Sequence, residues 1–281
     1  MIVISNCREM QDYSNEKRSV GASIALVPTM GFFHDGHLSL MHLGRQKCDV
    51  LVVSIFVNPT QFSPTEDFDT YPRDFTRDRD LCQKLGTDVV FQPSAEEMYP
   101  EGFQTYIDVE ELSKPLCGMS RPRFFRGVAT VCAKLFNLVK PHVAIFGEKD
   151  YQQLLVIRRM VKDLNIDMQV IGAPLVREYD GLAMSSRNVR LNPTERKAAL
   201  SLNRALSEAR TQFQTGRRDA SEIIGRVRRI VEAEPLVRVD YIEVRDAETL
   251  APMARIDQPA VLALAAYVGK TRLIDNVLLS Q

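Results

Sequence analysis

Short apolar runs recur along roughly the first 175 residues and predict the strands of a sheet. The run Val50–Val57 is apolar except for Ser54 and rich in β-branched residues, as is typical of a strand covered on both faces of a parallel sheet. Shorter runs of this kind occupy Ile24–Val27, Val89–Phe91, Val143–Phe146 and Met168–Ile171. A short strand is also expected at the N-terminus, and a weaker pattern at Tyr106–Val109 predicts one more.

Segments with helical spacing lie between these runs. They are Met10–Arg18, a segment that opens at or near His37, Thr76–Leu85, Gly127–Val139 and Tyr151–Leu164. In the fourth of them, Val128, Val131, Cys132 and Leu135 form one apolar face. Because strands and helices alternate, the pattern predicts an α/β domain, built as a Rossmann-like, doubly wound parallel sheet with right-handed crossovers.

The pattern changes after Pro174. Residues 176–188 are mostly polar and have no regular period. Asn192, Pro193 and Glu195 are typical of a helix start, with a cap, a proline at the first position and a glutamate at the third. Two helices and then three strands follow, at 193–214, 220–233, 239–244, 261–268 and 272–279. The sequence therefore predicts two domains, 1–175 and a smaller α+β domain at 176–281.

Composition narrows the class of protein. Of 281 residues 45% are hydrophobic, which favours a sizeable core over disorder. Lys plus Arg and Asp plus Glu both number 36, so no basic excess favours nucleic acid or a membrane surface as the main partner. The five cysteines are scattered and odd in number, which favours reduced thiols in a cytoplasmic protein. We expect no signal peptide, and no apolar run reaches membrane-spanning length.

The loop Pro28–His37 is the first candidate for chemistry. It follows an apolar strand, contains Gly31 and Gly36, and opens a helix, an arrangement that suits phosphate binding at a helix N-terminus. His34 and His37 add imidazole donors at the same place. Two other interpretations stay open from the residues alone: a metal site, and histidines that only cap the helix. No Cys or Glu follows at ligand spacing, so we predict no protein metal site here.

Three further loops follow predicted strands: Asn58–Phe62, Gly147–Asp150 and Val176–Asn188. They are expected to share one edge of the sheet. The loop Gly147–Asp150 offers Lys149 as a point charge for phosphate and Asp150 as an acceptor for ribose hydroxyls. Asp150 is also a candidate cap for the helix after it. The polar segment 176–188 offers Ser185, Ser186 and Arg187 for the same anion, although plain loop residues are the alternative. Gln61 and Gln153 are neutral amides that suit a substrate with hydroxyls and a carboxylate.

Several strings resemble a known family. His34-Asp35-Gly36-His37 has the HxGH pattern of the nucleotidylyltransferase superfamily, and Met184-Ser185-Ser186-Arg187 is similar to its second signature. Longer strings, at 27–31, 54–62, 146–154, 180–188 and 271–276, resemble the pantothenate synthetase (pantoate–β-alanine ligase) family across essentially the whole chain. The chain departs from that pattern at Phe124, where the family usually carries His.

The resemblance implies site residues. It implies His37, His34, Lys149 and Arg187 as catalytic groups, with His37 as a proton donor. The residues that it implies for ATP are Met30, Gly31, Phe32, Phe33, His34, Asp35, Gly36, His37, Gly147, Glu148, Lys149, Asp150, Val176, Met184, Ser185, Ser186 and Arg187. It implies Gln61 and Gln153 for pantoate, with Gln61 also near β-alanine. No role follows for position 124.

The implied reaction has two steps. ATP and pantoate give pantoyl adenylate and pyrophosphate, and the amine of β-alanine then gives pantothenate and AMP. Mg²⁺, a cytoplasmic location, a homodimer and a C-terminal lid over the labile adenylate are further expectations. Two alternatives are another adenylyltransferase, which would need a second cationic pocket, and a non-catalytic ATP-binding module, which would be expected to lose signature residues.

Overall fold

The computed structural model describes residues 1–64 and 66–280, and these residues divide into two compact units. The first unit comprises Met1–Lys114, Gly118–Glu148 and Gln153–Pro174. The second comprises Pro115–Cys117, Lys149–Gln152 and the chain from Leu175 onward. Lys149 and Asp150 thus group with the C-terminal part of the chain, although they directly follow a strand of the first unit.

The first unit contains a parallel six-stranded sheet. Its strands are β1 (Ile2–Ile4), β2 (Ile24–Thr29), β3 (Val50–Ile55), β4 (Val89–Phe91), β5 (Val143–Gly147) and β6 (Gln169–Ala173), in the spatial order β1-β4-β3-β2-β5-β6. The apolar run of β2 is fully buried from Ile24 to Val27. Because the chain leaves β2 toward β3 on one side and later adds β5 on the other, the strand order reverses at β2 and β5. In open α/β sheets a crevice for ligands forms at such a point.

Seven α-helices fall between Met1 and the end of β6 in the described residues. They are α1 (Cys7–Ser19), α2 (Asp35–Lys47), α3 (Phe75–Lys84), α4 (Ala95–Met98), α5 (Cys117–Ser120), α6 (Phe124–Val139) and α7 (Tyr151–Asp163). α1 begins three residues before the predicted start, because the Asn6 side chain accepts hydrogen bonds from Arg8 N–H and Glu9 N–H. α6 also begins three residues early, at Phe124.

The strand predicted at Tyr106–Val109 is wrong. The segment pairs with no strand among the described residues and lies beside α6 instead. Ile107 N–H donates to Thr130 Oγ1 at 3.0 Å, and the Arg126 guanidinium lies 4.3 Å from the centre of the Tyr106 ring. A side-chain hydroxyl and a cation–π contact therefore replace the strand pairing that the sequence pattern predicts.

The second unit places two helices against a small antiparallel sheet. They are α8 (Pro193–Gln214) and α9 (Ala220–Glu232), and the strands are β7 (Val237–Asp246), β8 (Ala260–Val268) and β9 (Thr271–Leu279), with β8 in the middle. Asn192 and Glu195 form the predicted capping box of α8. Leu206, Val227 and Leu262 are buried in the core of this unit. The predicted fold class, a parallel α/β sheet with a smaller α+β part, is confirmed.

Two further observations concern the length of apolar helices and the state of the cysteines. Within the ranges 1–64 and 66–280, no helix combines the length and apolar character needed to cross a membrane. All five cysteines lie in these ranges, and none of them forms a disulfide bond there.

Candidate active site

The turn after β2 has an unusual backbone. Gly31 and Phe32 both adopt positive φ, at 82° and 54°, which is uncommon for a side chain as large as phenylalanine. Thr29 Oγ1 donates to Ser54 O at 2.7 Å and accepts from Gly31 N–H at 3.2 Å. The end of β2 is therefore joined to the end of β3, and the chain reverses sharply toward α2.

The two histidines lie at the N-terminus of α2. The helix begins at Asp35, two residues before His37, because His34 is extended and serves as the cap residue. His34 N–H lies 3.4 Å from His37 Nδ1, and His37 N–H donates to His34 O at 2.7 Å. The centres of the two rings are 4.1 Å apart, and the Phe33 ring lies 5.4 Å from that of His37. Both imidazoles, half-buried, are thus fixed beside the positive end of the helix dipole.

Asp78 of α3 holds this turn and was not predicted from the sequence. Its two carboxylate oxygens accept from Phe32 N–H at 2.6 Å and from Phe33 N–H at 2.8 Å. The side chain is almost fully buried, with 1% of the residue exposed. Burial raises the pKa of Asp78 above its ordinary value, against the two backbone hydrogen bonds, which lower it.

Gly31 leaves no room for a side chain. A Cβ at this position would lie 2.9 Å from Asp78 Oδ2 and 3.1 Å from Ile55 Cγ2. The missing side chain therefore makes room for the protein's own carboxylate and for a β3 side chain.

Gln61 lies in a short 3₁₀ helix, Pro59–Gln61, at the end of β3. Its Nε2 donates to Met30 Sδ at 3.1 Å, so the loops after β2 and β3 meet here. Its Oε1 accepts from Asn58 Nδ2 at 3.1 Å, and Asn58 is in turn held by the Tyr99 hydroxyl, which donates to Asn58 Oδ1 at 2.8 Å. Burial raises the pKa of Tyr99 to about 12, so the phenol keeps its proton and remains a donor. This chain of contacts fixes which end of the Gln61 amide faces which neighbour.

Phe124, the position where the chain departs from the family pattern, supports Arg121. The Arg121 guanidinium lies 3.7 Å from the centre of the Phe124 ring and forms an ion pair with Glu66. The same guanidinium donates to Gln61 O at 3.1 Å. Although burial opposes it, the hydrogen bond from Arg121 lowers the pKa of Glu66 below its ordinary value. The side chain at 124 thus helps to hold the backbone of Gln61.

In the second unit, Lys149 and Asp150 lie in a 3₁₀ turn, Glu148–Asp150, that leads directly into α7. Lys149 Nζ is 3.6 Å from Asp150 Oδ2. Asn276 of β9 donates from Nδ2 to Lys149 O at 3.0 Å. The ammonium group therefore extends from a backbone that β9 holds in place.

The polar segment 176–188 is a hairpin. Met184 N–H donates to Val176 O at 3.0 Å, and Arg177 forms an isolated β-bridge with Ala183. Ser185 then caps a 3₁₀ helix, Ser186–Arg190, by accepting from Arg187 N–H at 3.2 Å. The hairpin positions the Ser-Ser-Arg string directly after its second arm.

Ion pairs brace this hairpin. Arg177 donates through both terminal nitrogens to Asp275 of β9, at 2.7 and 3.0 Å, and Asp275 is 3% exposed. Arg196 of α8 binds Glu178 at 2.5 Å and Asp180 at 2.9 Å. The bond to Glu178 is the main reason why the pKa of Arg196 is raised. The sequence predicts the loop but not these braces.

The comparisons with known proteins decide the family. The family model described as Pantoate-beta-alanine ligase matches residues 2–278. The chain belongs to this family. The resemblance drawn from the motifs is thereby confirmed.

Curated relatives in the pantoate-beta-alanine ligase family cover almost the whole chain. A pantothenate synthetase of Syntrophus aciditrophicus is 56% identical over 98% of this chain and 96% of its own length. One of Geobacter sulfurreducens is 56% identical over 100% and 99%. The crystal structure of pantothenate synthetase from Thermus thermophilus is 45% identical with a TM-score of 0.95 and covers all of both chains. A pantoate-beta-alanine ligase from Francisella tularensis, described as complexed with beta-gamma ATP and beta-alanine, is 34% identical with a TM-score of 0.81, covering 99% and 97%.

The site residues expected for this ligase family divide between the two units. The first unit brings together Met30–His37 and Gln61 at the ends of β2 and β3, and it includes Gly147, Glu148 and Gln153. The second unit contains Lys149, Asp150, Val176 and Met184–Arg187. That both groups meet around one nucleotide stays a prediction. In the described ranges no group of three His, Cys, Asp or Glu residues is arranged to hold a metal ion.

Proposed function

We propose that this chain condenses pantoate with β-alanine at the expense of ATP, giving pantothenate, AMP and pyrophosphate through pantoyl adenylate. Membership of the pantoate-beta-alanine ligase family over residues 2–278 carries the proposal. The HxGH turn at the point where the strand order reverses supports it, because that is where open α/β sheets bind nucleotides.

The first step is an in-line displacement at the α-phosphorus of ATP. A pantoate carboxylate oxygen forms a bond to phosphorus, and the bond from phosphorus to the pyrophosphate oxygen breaks. Such a reaction needs alignment and positive charge more than covalent help from the protein. The half-buried imidazoles of His34 and His37 at the start of α2 supply donors where negative charge develops. We assign His37 to stabilise the transition state in preference to the family's proton-donor role, because metal-bound pyrophosphate is a good leaving group.

The second unit supplies the other cationic groups. Lys149 and Arg187 neutralise the leaving pyrophosphate, and Ser185 and Ser186 donate hydroxyl hydrogen bonds to the phosphates. Gly147 to Asp150, Val176 and Met184 complete the nucleotide site in this proposal. A lid motion of the second unit would protect the labile adenylate from water.

Pantoate carries two hydroxyls and a carboxylate, and we assign its binding to Gln61 and Gln153. A neutral amide can donate to one oxygen and accept from a hydroxyl, which a cationic side chain cannot do. The contacts of Gln61 with Asn58 and Met30 hold its amide at the ends of β2 and β3. We also assign Gln61 to the neighbourhood of bound β-alanine.

In the second step the amine of β-alanine attacks the acyl carbon of pantoyl adenylate. A carbon–nitrogen bond forms, the bond from the acyl carbon to the AMP oxygen breaks, and the amine loses a proton. Mg²⁺ enters with ATP as part of the substrate and keeps several of its waters. The homodimer and the cytoplasmic location are part of the same proposal.

One assay tests the proposed function. Protein, MgATP, pantoate and β-alanine are mixed, and AMP is measured with each acid omitted in turn. AMP that requires both acids supports the ligase. Pyrophosphate with a phosphorylated acceptor and no pantothenate would instead indicate another adenylyltransferase. Binding of ATP without turnover would indicate a non-catalytic module.

A further inference from the structure

The turn Gly31–Phe33 has the geometry of an anion-binding concavity. Consecutive residues with unusual φ values turn successive backbone N–H groups toward one point, and such concavities commonly bind phosphate. Here the N–H groups of Phe32 and Phe33 both point to the carboxylate of Asp78, at 2.6 and 2.8 Å. An anion of the protein itself therefore already occupies the concavity.

The turn and Asp78 fit each other closely. A Cβ on Gly31 would come within 2.9 Å of Asp78 Oδ2, so only glycine lets the carboxylate approach this far. Arg77, the neighbour of Asp78 on α3, places its guanidinium 5.6 Å from the centre of the Phe32 ring. Two successive residues of α3 thus hold both the backbone and the side chain of Phe32, the non-glycine residue of this turn that has positive φ.

We propose that Asp78 is a positioning residue for adenylate formation. Its carboxylate fills the Gly31–Phe33 turn, stabilises the left-handed conformation of Phe32, and so fixes His34 and His37 at the start of α2. The phosphates of ATP are then bound by the helix start and by side chains, and the N–H groups of Phe32 and Phe33 take no part. The kinetic half of this inference depends on the proposed function, whereas the structural half does not.

The presence of a buried carboxylate at position 78 supports the inference. Burial raises the pKa of Asp78, which means that its charged form lacks full compensation in the fold. A neutral residue would avoid that desolvation. A carboxylate nonetheless provides two acceptor oxygens for two convergent N–H groups, which neither a hydroxyl nor an amide can match.

The test compares Asp78→Asn with the matched control Asp80→Asn. Asp80 lies on the same helix, and its side chain is about half exposed, at 53%. Asparagine keeps the size of Asp78 but presents an N–H₂ group to one of the two backbone donors. We expect hydrogen exchange of the Phe32 and Phe33 amides, measured by mass spectrometry with fragmentation, to accelerate by at least about tenfold in Asp78→Asn only. Wild-type exchange rates in that variant would overturn the proposal.

Kinetics separate positioning from a structural role. Per folded molecule, we expect adenylate formation to fall by about 100-fold in Asp78→Asn, a typical effect of misplacing a catalytic group by about 1 Å. The reaction of preformed pantoyl adenylate with β-alanine should fall by less than about tenfold, because its leaving group carries no pyrophosphate. An equal loss in both half-reactions, tracking the folded fraction, would indicate a structural role and overturn positioning.

The anchoring by Asp78 can still be tested if Asp78→Asn does not fold or if the wild-type protein forms no AMP. In either case, exchange is measured on the ligand-free wild-type protein. Slow exchange at Phe32 and Phe33, at rates close to those of the buried amides of β2, supports the anchoring by Asp78. Fast exchange at both amides would overturn it. Absence of AMP from the wild-type protein removes the proposed function and leaves this measurement intact.

Discussion

The two turns that carry the family signatures are held in different ways. The turn at Gly31–Phe33 is fixed through its backbone, by one buried carboxylate and by the Thr29 hydroxyl, which accepts from Gly31 N–H and donates to Ser54 O of β3. The hairpin at 176–188 is fixed through its side chains, by Arg177 with Asp275 and by Arg196 with two carboxylates. A backbone anchored to a buried anion has few other low-energy arrangements. A hairpin held by partly exposed ion pairs can exchange one contact for another.

The difference agrees with the proposed chemistry. The HxGH turn must hold two imidazoles against a charge that develops at one atom, so tolerance for displacement is small. In the proposed mechanism the Ser-Ser-Arg string binds the pyrophosphate leaving group and moves with a lid. It therefore has to be firmly attached to the second unit and still be able to change its position. Changes in the first turn should therefore act mainly on rate, and changes in the hairpin mainly on stability.

The largest effect is expected at the rigid turn itself. His37→Ala should reduce pantoyl-adenylate formation by roughly 10² to 10⁴-fold, as removal of a transition-state donor does. The measurement is single-turnover release of pyrophosphate at saturating ATP and pantoate. His42→Ala, an exposed histidine on the same helix, is the control and should keep wild-type turnover. Near-normal turnover in His37→Ala would remove this residue from the mechanism.

The second effect is expected on the stability of the hairpin. Asp275→Ala should lower the free energy of unfolding by about 2 kcal/mol, because the variant leaves the Arg177 guanidinium without its bidentate partner. The value is smaller than for a fully buried pair, since the Arg177 side chain remains 29% exposed. Chemical denaturation measures it, with Asp257→Ala, an exposed member of another pair, as the control. Equal stability of the two variants would show that the hairpin does not depend on β9.

Sequence reasoning predicted the fold well because its signals are local and repeated. The strands β2, β3 and β5 are built mainly from apolar residues, and the cap of α8 follows a known residue pattern. Tyr106–Val109 failed because a short apolar pattern cannot tell a strand from an extended segment packed on a helix. The start of α2 was placed two residues late, because histidine is an unusual cap residue.

The candidate residues followed from their positions in loops after strands and from resemblance, but the groups that hold them were not predicted. Asp78 lies in a stretch rich in charges, where an exposed carboxylate is the ordinary expectation. One signal was available: Asp78 is three residues after Phe75 and four before the buried Cys82, so it shares the apolar face of α3. Arg196 and Asp275 are far from the hairpin in sequence. Only the tertiary arrangement of α8 and β9 brings them to it.

A third, smaller effect concerns pH. The folded pKa of Asp78 is raised by burial, lowered by the two backbone donors and by Arg77, and raised again by Asp74. For a raised carboxyl the stability contribution is present below the unfolded pKa, about 4, and is lost as pH rises through the folded pKa. The free energy of unfolding of the wild-type protein should therefore improve relative to Asp78→Asn as pH falls toward the unfolded pKa, about 4.

Denaturation of both proteins across that range measures the difference. Protonation also removes one of the acceptors in the turn, so adenylate formation by the wild-type protein should decline over the same interval in which its relative stability rises. A constant stability difference between the two proteins would mean that the Asp78 carboxyl has the same pKa in the folded and unfolded chains.

The smallest effect is expected at the second brace of the hairpin. Arg196→Ala should lower the free energy of unfolding by about 0.5 to 1 kcal/mol at low salt and by less at high salt, because its partners Glu178 and Asp180 are partly exposed and screened. Arg204→Ala, which removes another ion pair from the same helix, is the control for lost helix charge. Because Asn188 still donates to Glu178 at 2.6 Å, the hairpin keeps a contact at this end. A loss as large as that of Asp275→Ala would show that this ion pair is as important to the hairpin as the bond to β9, and the contrast between a rigid turn and a tolerant hairpin would no longer hold.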